Sequence, residues 1–368
     1  MSFKFSFNWC FSGRMIGGQY VRSVFLSIAA AQGNLGDVFI RREITRAIER
    51  GGGAAVVYRG SMPTGYVNAF ELPSDWTITS SPARFLWRLL RAAVVGNALI
   101  IMTPGPASLS GGVVGAIKRV GVACMIALNR IMGNRSIVLG RALRGAPGVR
   151  LRAEKAMAKF SELYTTRDSQ SSRIVGGRAE FFPDLGFACL DPFEEKNRAY
   201  VGVSLRHDRT VDEPALKSLV CCIESYGLKP IFVTQVREDR RGHLEWAEAL
   251  GVEHLDWPEK IHHSEQERRI EDCYSRCAGV VSDRLHVLIL GARKGAIPVI
   301  VDSENEQKLH ASLDEILYPQ AVNLCENGGQ VVLDLGSNEA LRIQEAMASA
   351  SRRLEPVLVR VNSIIEGA

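Results

Sequence analysis

Two rhythms of hydrophobic residues alternate along this chain. Short, nearly unbroken apolar runs occur at 24–29, 54–58, 97–102, 136–140, 200–205, 230–234, 278–281 and 297–301, and a β-prone run of Leu, Tyr and two Thr at 163–166. Each has the length and composition of a strand buried on both faces. Between them lie stretches whose apolar positions recur every three or four residues: 38–50, 149–159, 212–226, 243–250, 265–277, around 305–313, and 338–354. These predict helices. From Pro82 the apolar positions are Phe85, Leu86, Leu89, Leu90 and Ala93, with Arg84, Arg88 and Arg91 on a polar side and Trp87 nearby. Such a helix ordinarily packs its apolar face on a sheet; the alternative is that it lies on anionic lipid.

Strand and helix alternating throughout predict parallel, doubly wound sheets. The chain has 368 residues, more than one core usually holds. A polar, proline-bearing stretch around Phe182-Pro183-Asp184 and Asp191-Pro192 interrupts the alternation before it resumes at Tyr200. The expected organisation is therefore two Rossmann-like domains, 1–196 and 197–337. The final helix, 338–368, is long enough to cross back onto the first. Ligands in such sheets sit beyond the carboxyl ends of the strands, so the cleft between the domains is the expected site.

Charge sharpens this picture. Residues 1–150 hold 18 Lys/Arg and 5 Asp/Glu, whereas the remaining 218 residues hold 27 and 35. So basic a first domain suits an acidic partner such as anionic lipid or a diphosphate-linked substrate. Aromatics are not interleaved with the basic runs, which ranks nucleic acid last. The eight cysteines include no CxxC pair, which fits free thiols in a reducing cytosol. No apolar run approaches the roughly 20 residues that span a bilayer. The expected location is cytoplasmic, with peripheral contact at the inner face of the membrane left open.

Candidate chemistry gathers at two places. In Ser282-Asp283-Arg284-Leu285-His286, Ser282 and Asp283 suit the cap and first turn of a helix whose apolar face is Leu285, Leu288, Ile289 and Ala292. Arg284 and His286 then stand beside free N–H groups at the positive end of the helix dipole, a site for a small anion. Arg206 ends another strand. In the first domain the first strand runs into Gly33-Asn34-Leu35-Gly36-Asp37, which is neither GxGxxG nor a P-loop. Gly33 and Gly36 permit close backbone approach. Asp37 can serve as a base or sugar-hydroxyl acceptor, or equally as a helix cap. Arg167 and Asp168 are expected to pair with each other. His207, His262 and His263 read as surface histidines without a role.

The loop at 33–37, Arg167-Asp168 with Ser171, Pro183-Asp184, Val203-Ser204-Leu205-Arg206 and Ser282-Asp283-Arg284-Leu285-His286 occur in this order along most of the chain. In this the chain resembles the polysaccharide pyruvyl transferases. The resemblance implies a fold like that of the GT-B glycosyltransferases. It also implies transfer of a pyruvyl group from phosphoenolpyruvate to a sugar of a polysaccharide or its polyprenyl-diphosphate-linked precursor, forming a ketal and releasing phosphate. Arg206, Arg284, Leu285 and His286 would hold the donor, and Gly33, Asn34, Gly36 and Asp37 would line the acceptor side. His286 is the expected acid and Asp37 the expected base. No metal and no cofactor beyond the donor substrate is expected. The chain departs from the family pattern at Thr103-Pro104-Gly105-Pro106, where a glycine triplet is usual. It departs again at Arg141-Ala142-Leu143-Arg144-Gly145, in place of a Gln-Ser-Ile-Gly-Pro-like run. Two alternatives remain: a nucleotide-sugar glycosyltransferase on the same frame, and a non-catalytic, membrane-associated partner of a polysaccharide assembly complex.

Overall fold

The computed structural model describes residues 15–16, 19–20, 23–188, 197–302, 307–324 and 331–367. Two large parallel sheets organise them. A separate antiparallel pair, β1 (Met15–Ile16) with β2 (Gln19–Tyr20), precedes both. The first sheet comprises β3 (Ser23–Ser27), β4 (Ala54–Tyr58), β5 (Thr77–Thr79), β6 (Ala98–Met102), β7 (Gly105–Ser108), β8 (Arg135–Arg144), β9 (Leu163–Thr166) and β10 (Ala179–Phe181). Its order is β10-β9-β8-β6-β3-β4-β5, with β7 also beside β8. The second comprises β11 (Tyr200–Ser204), β12 (Lys229–Val233), β13 (Glu253–Leu255), β14 (Cys277–Ser282), β15 (Ile297–Asp302) and β16 (Gln320–Asn323), in the order β13-β12-β11-β14-β15-β16. In each sheet the chain first winds outward one way and then the other. The reversals fall between β3 and β6 and between β11 and β14, where ligands of such sheets bind.

Period-two alternation sorts each strand's residues onto two faces. On the first sheet Val24, Leu26, Val57, Leu99 and Ile101 join the core that contains Ile44 and Ile48 of the helix Leu35–Arg50. Phe25, Ala98 and Ile100 face the other way, against Leu89 and Ala93 of the helix Pro82–Val94. The two sheets are not separated by open space throughout. Leu35, Phe39 and Ile40 pack with Val233, Trp257, Tyr274, Val287 and Leu290 of the second lobe. Leu288, Ile289 and Ala292 in turn belong to the first lobe's core. The helices Leu35–Arg50 and Leu285–Arg293 thus form the centre of the joint.

Several expectations are revised. The run at 136–140 is only half of its strand: β8 continues to Arg144, and Gly140, at φ +55°, carries the bulge that shifts its register against β9. A positive φ favours glycine, which is what a sequence reader takes for a turn. Thr103-Pro104-Gly105-Pro106 is likewise the entry to β7 and not simply a turn. The helix Val113–Ile131 has no counterpart in the sequence reading, because its apolar residues surround it and no polar face marks its period. The apolar period at 338–354 marks only part of the final helix, which runs from Ser337 to Glu366, through Pro356. Proline removes one hydrogen bond; beyond it Val357, Val361, Ile364 and Ile365 are buried in the first lobe's core, and that packing carries the helix on. The interdomain stretch 189–196 lies outside the described residues. No helix among the described residues is long and apolar enough to cross a membrane.

Candidate functional site

The carboxyl ends of β11 and β14 lie side by side, Ser204 pairing with Ser282. Beyond Ser282 the chain turns into its helix later than expected. Arg284 is the N-cap, the helix is Leu285–Arg293, and no side chain caps it. Ser282 Oγ accepts from Arg284 N at 2.9 Å. Asp283 does not cap but reaches across, accepting the backbone N–H of Arg206 at 3.0 Å. Burial pushes the Asp283 carboxyl above its ordinary range, against the nearby Arg209, which stands 3.4 Å away. Arg284 therefore sits on the lip of the helix, not in its first turn. The first helical N–H groups, Leu285 and His286, have no preceding carbonyl of their own helix to satisfy them.

Each cation here is aimed by a carboxylate. The Arg284 guanidinium meets Asp239, Nη2 donating to Oδ1 at 2.6 Å with Nε 2.5 Å from Oδ2. Asp239 is buried and also accepts His207 N at 3.0 Å, so it ties the β11 loop to Arg284. Arg206 forks onto Asp208 at 2.8 and 2.6 Å; that carboxylate is 64% exposed. An arriving anion can displace Asp208 far more cheaply than buried Asp239. Behind Arg206, the buried His243 holds Leu205, with Nε2 3.0 Å from its N and 2.8 Å from its O, and Nδ1 3.0 Å from Thr234 Oγ1. Burial lowers the His243 pKa to about 4.

His286 points toward the first lobe. Its Nε2 is 3.6 Å from Asp184 Oδ2, a charge contact longer than a hydrogen bond, and that nitrogen has no hydrogen-bond partner among the described residues. Asp184 is fixed by Arg167 at 3.0 Å and by Gly186 N at 2.8 Å. Burial alone would raise its pKa, but the neighbouring His286 ring, Arg167 and the Gly186 amide outweigh burial and hold it well below the usual carboxylate range. Arg167 and Asp168 do not pair with each other. Asp168 caps the helix Ser169–Val175 through Ser171 N at 2.7 Å and meets Arg144 at 3.1 Å. The two residues lie past the end of β9, and each side chain meets a different partner.

The 33–37 loop comes up against these residues from the first lobe. Asn34, not Asp37, caps its helix, accepting Gly36 N at 3.0 Å. Gly33 O accepts from Arg237 N at 2.9 Å, and a Cβ on Gly33 would touch Arg237 Cβ at 3.0 Å. A Cβ on Gly36 would lie 2.5 Å from His286 Cβ and 2.7 Å from Nδ1. Both glycines thus make room for second-lobe side chains. Asp37, one residue on, is held by Arg41 at 2.8 Å and by the Asn34 amide at 3.3 Å. Arg41 Nε also donates to Thr103 Oγ1 at 3.2 Å, which brings the β6–β7 loop to the same place. The Leu285 side chain packs on the shared core, leaving its amide as the group that can face a ligand.

Three participants went unassigned in the sequence. Asp239 holds Arg284 and Asp184 stands beside His286, yet nothing local distinguishes such an acid from one on the surface. His263 is no surface residue: it is buried, sits 2.6 Å from Gln32 O, and stands edge-on to Trp257. Its neighbour Trp257, six residues away, was the available hint.

A family model described as polysaccharide pyruvyl transferase matches residues 34–302. No curated protein matches the chain in sequence. Among solved structures, HepE of Anabaena in complex with UDP superposes with a TM-score of 0.56 at 14% identity, over 94% of this chain and 98% of its own. UGT89C1 of Arabidopsis thaliana, complexed with UDP-L-rhamnose, gives 0.53 at 10% identity, over 93% and 100%. UGT2 of Phytolacca americana, complexed with UDP-2-fluoro-glucose and pterostilbene, gives 0.52 at 10%, over 92% and 99%. At such identities the likeness concerns the fold, which is GT-B.

Proposed function

The chain belongs to the polysaccharide pyruvyl transferase family, and from that premise we propose that it transfers the pyruvyl group of phosphoenolpyruvate to two hydroxyls of a sugar. The sugar belongs to a polysaccharide or to its lipid-linked precursor. What carries this reading is the array at the β11/β14 reversal: two guanidiniums, each held by a carboxylate, and an imidazole beside a third, around an uncapped helix N-terminus. That array suits a small ligand bearing both carboxylate and phosphate, since arginine forks match both groups.

In the proposed reaction Arg206 leaves Asp208 for the donor, while Arg284, fixed by Asp239, takes the other anionic group. His286 gives a proton to the donor's methylene carbon, which becomes a methyl group, and Asp184 offers the charged ring its counter-charge. Positive character then develops on the adjacent carbon. One sugar hydroxyl bonds to it and loses its proton to a base, for which Asp37 is our candidate. The second hydroxyl bonds to the same carbon and gives its proton to His286, restoring the acid, as the carbon–oxygen bond to phosphate breaks; the ketal and inorganic phosphate leave, and the proton on the base passes to the phosphate or to water. The arginines lower the barrier by neutralising the departing phosphate.

The test is thermal stability with phosphoenolpyruvate or UDP-sugars, in the parent protein and in Arg206→Ala, which leaves no buried carboxylate unpaired. A ligand at about 100 times its Kd stabilises by roughly 2.7 kcal/mol, a shift of a few degrees in a chain of this size. A shift with phosphoenolpyruvate that Arg206→Ala removes supports the assignment. A shift with UDP-sugars alone points to nucleotide-sugar chemistry on the same frame, and the donor assignment falls.

A further inference from the structure

On the face of the first sheet that bears Phe25 and Ile100, two helices turn apolar residues outward. In Val113–Ile131 the buried positions are Ala123, Ile126 and Asn129. The opposite side carries Val113, Ile117, Val120, Cys124, Leu128 and Ile131, a stripe at helical spacing. Val113, Ile117, Leu128 and Ile131 are 74, 65, 50 and 74% exposed. The helix Pro82–Val94 lies alongside: Met125 packs into the Leu89–Ala93 cluster, and Asn134 Nδ2 donates to Ala93 O at 2.8 Å. Its own outward arc presents Leu86, Leu90, Val94 and Trp87, the last 59% exposed. Monomeric surfaces scatter such residues singly; two neighbouring helices sharing them form a continuous patch.

Charge decides what the patch meets. From Trp76 to Ala153 the chain contains 11 Lys/Arg and no Asp or Glu. Arg84, Arg91, Lys118 and Arg130, all exposed, stand beside the apolar stripes, and the Arg91 guanidinium lies 5.6 Å from the Trp87 ring. A second copy docking through the same face would set these arginines against their own kind, since a two-fold interface pairs a patch with itself. A membrane bearing anionic headgroups supplies both complements: acyl chains for the stripe, and negative charge for the flanking arginines. Tryptophan at the margin is suited to the headgroup level. We propose that this two-helix face docks the protein on an anionic lipid surface, with Leu86, Trp87, Leu90, Ile117, Leu128 and Ile131 entering the headgroup–acyl boundary.

The placement fits the site. Both helices begin at the carboxyl edge of the first sheet, after β5 and β7, where the 33–37 loop also emerges. From there they run back along the sheet, so docking lays this face of the first lobe along the membrane with the carboxyl edge at the border of the contact. The inference does not rest on the donor chemistry.

Sedimentation of the full chain with vesicles of phosphatidylcholine, with and without phosphatidylglycerol, tests it. We expect binding only to the phosphatidylglycerol vesicles, weakened as salt rises. A triple variant, Leu86→Ser with Ile117→Ser and Ile131→Ser, and a double variant, Arg84→Gln with Arg91→Gln, should each lose binding tenfold or more. Their melting temperatures should stay unchanged, because these side chains are exposed. Absence of vesicle binding by the parent protein overturns the proposal. Binding that neither variant diminishes also overturns it. A parent dimer that the triple variant converts to monomer, without vesicle binding, would assign the face to a second copy. The salt dependence on the parent protein keeps the test decisive if a variant folds poorly.

Discussion

Gly36 touches His286 from the opposite lobe so closely that a Cβ in its place would overlap the imidazole, 2.7 Å from Nδ1. Gly36 has ordinary helical backbone and is absent from the positive-φ positions, so space and not backbone freedom requires glycine here. Gly36→Ala should destabilise by about 1–3 kcal/mol, the usual cost of overpacking. In a His286→Gly background, which removes both the ring and the Cβ that stands 2.5 Å away, the same substitution should cost much less. Chemical denaturation of the four proteins of this cycle measures the coupling, and additive effects would mean the His286 side chain is not what the new methyl meets.

Arg284 and Asp239 form a nearly buried pair. Removing the arginine alone strands the carboxylate, so Arg284→Ala should cost about 3–5 kcal/mol. Arg284→Lys retains the charge but not the fork, and should keep most stability while losing phosphoenolpyruvate-induced stabilisation. Denaturation midpoints and ligand thermal shifts, taken side by side, separate the two effects.

Asp184 makes a pH-dependent contribution whose sign follows from its depressed pKa. Its stabilisation is present above the unfolded value of about 3.8 and is lost as pH falls below it. Asp184→Asn should therefore be clearly less stable than the parent at neutral pH. Unfolding curves from pH 7 to pH 3 should show that gap narrowing below about pH 4.

His243 works in the same direction but in a higher pH window. Burial lowers its pKa from 6.5 to about 4, so the unfolded chain takes up its proton first as pH falls. Stability should decline between about pH 6.5 and pH 4 by on the order of a few kcal/mol. His243→Gln, which can still bond the Leu205 backbone, should flatten that part of the profile. A parent curve equally steep in the variant would assign the acid loss to other groups.

Much of this protein is written locally. The runs that become β3, β11 and β15 are largely apolar because parallel strands are buried on both faces, and that pattern needs no knowledge of the fold to be read. Ser282 to His286, with Arg206 at a neighbouring strand end, announces an anion site because arginine, histidine and a helix start favour negative charge whatever surrounds them. What tertiary structure alone decided is which carboxylate each cation meets. Asp239 is 45 residues from Arg284, and Asp184 is 102 from His286. The expected Arg167–Asp168 pair gave way because each side chain found a distant partner, Asp184 for the arginine and Arg144 for the aspartate. The outward stripe of Val113–Ile131 was hidden for a related reason. Apolar residues signal burial in a sequence, and only the packed sheet beneath that helix determines which of its sides is left uncovered.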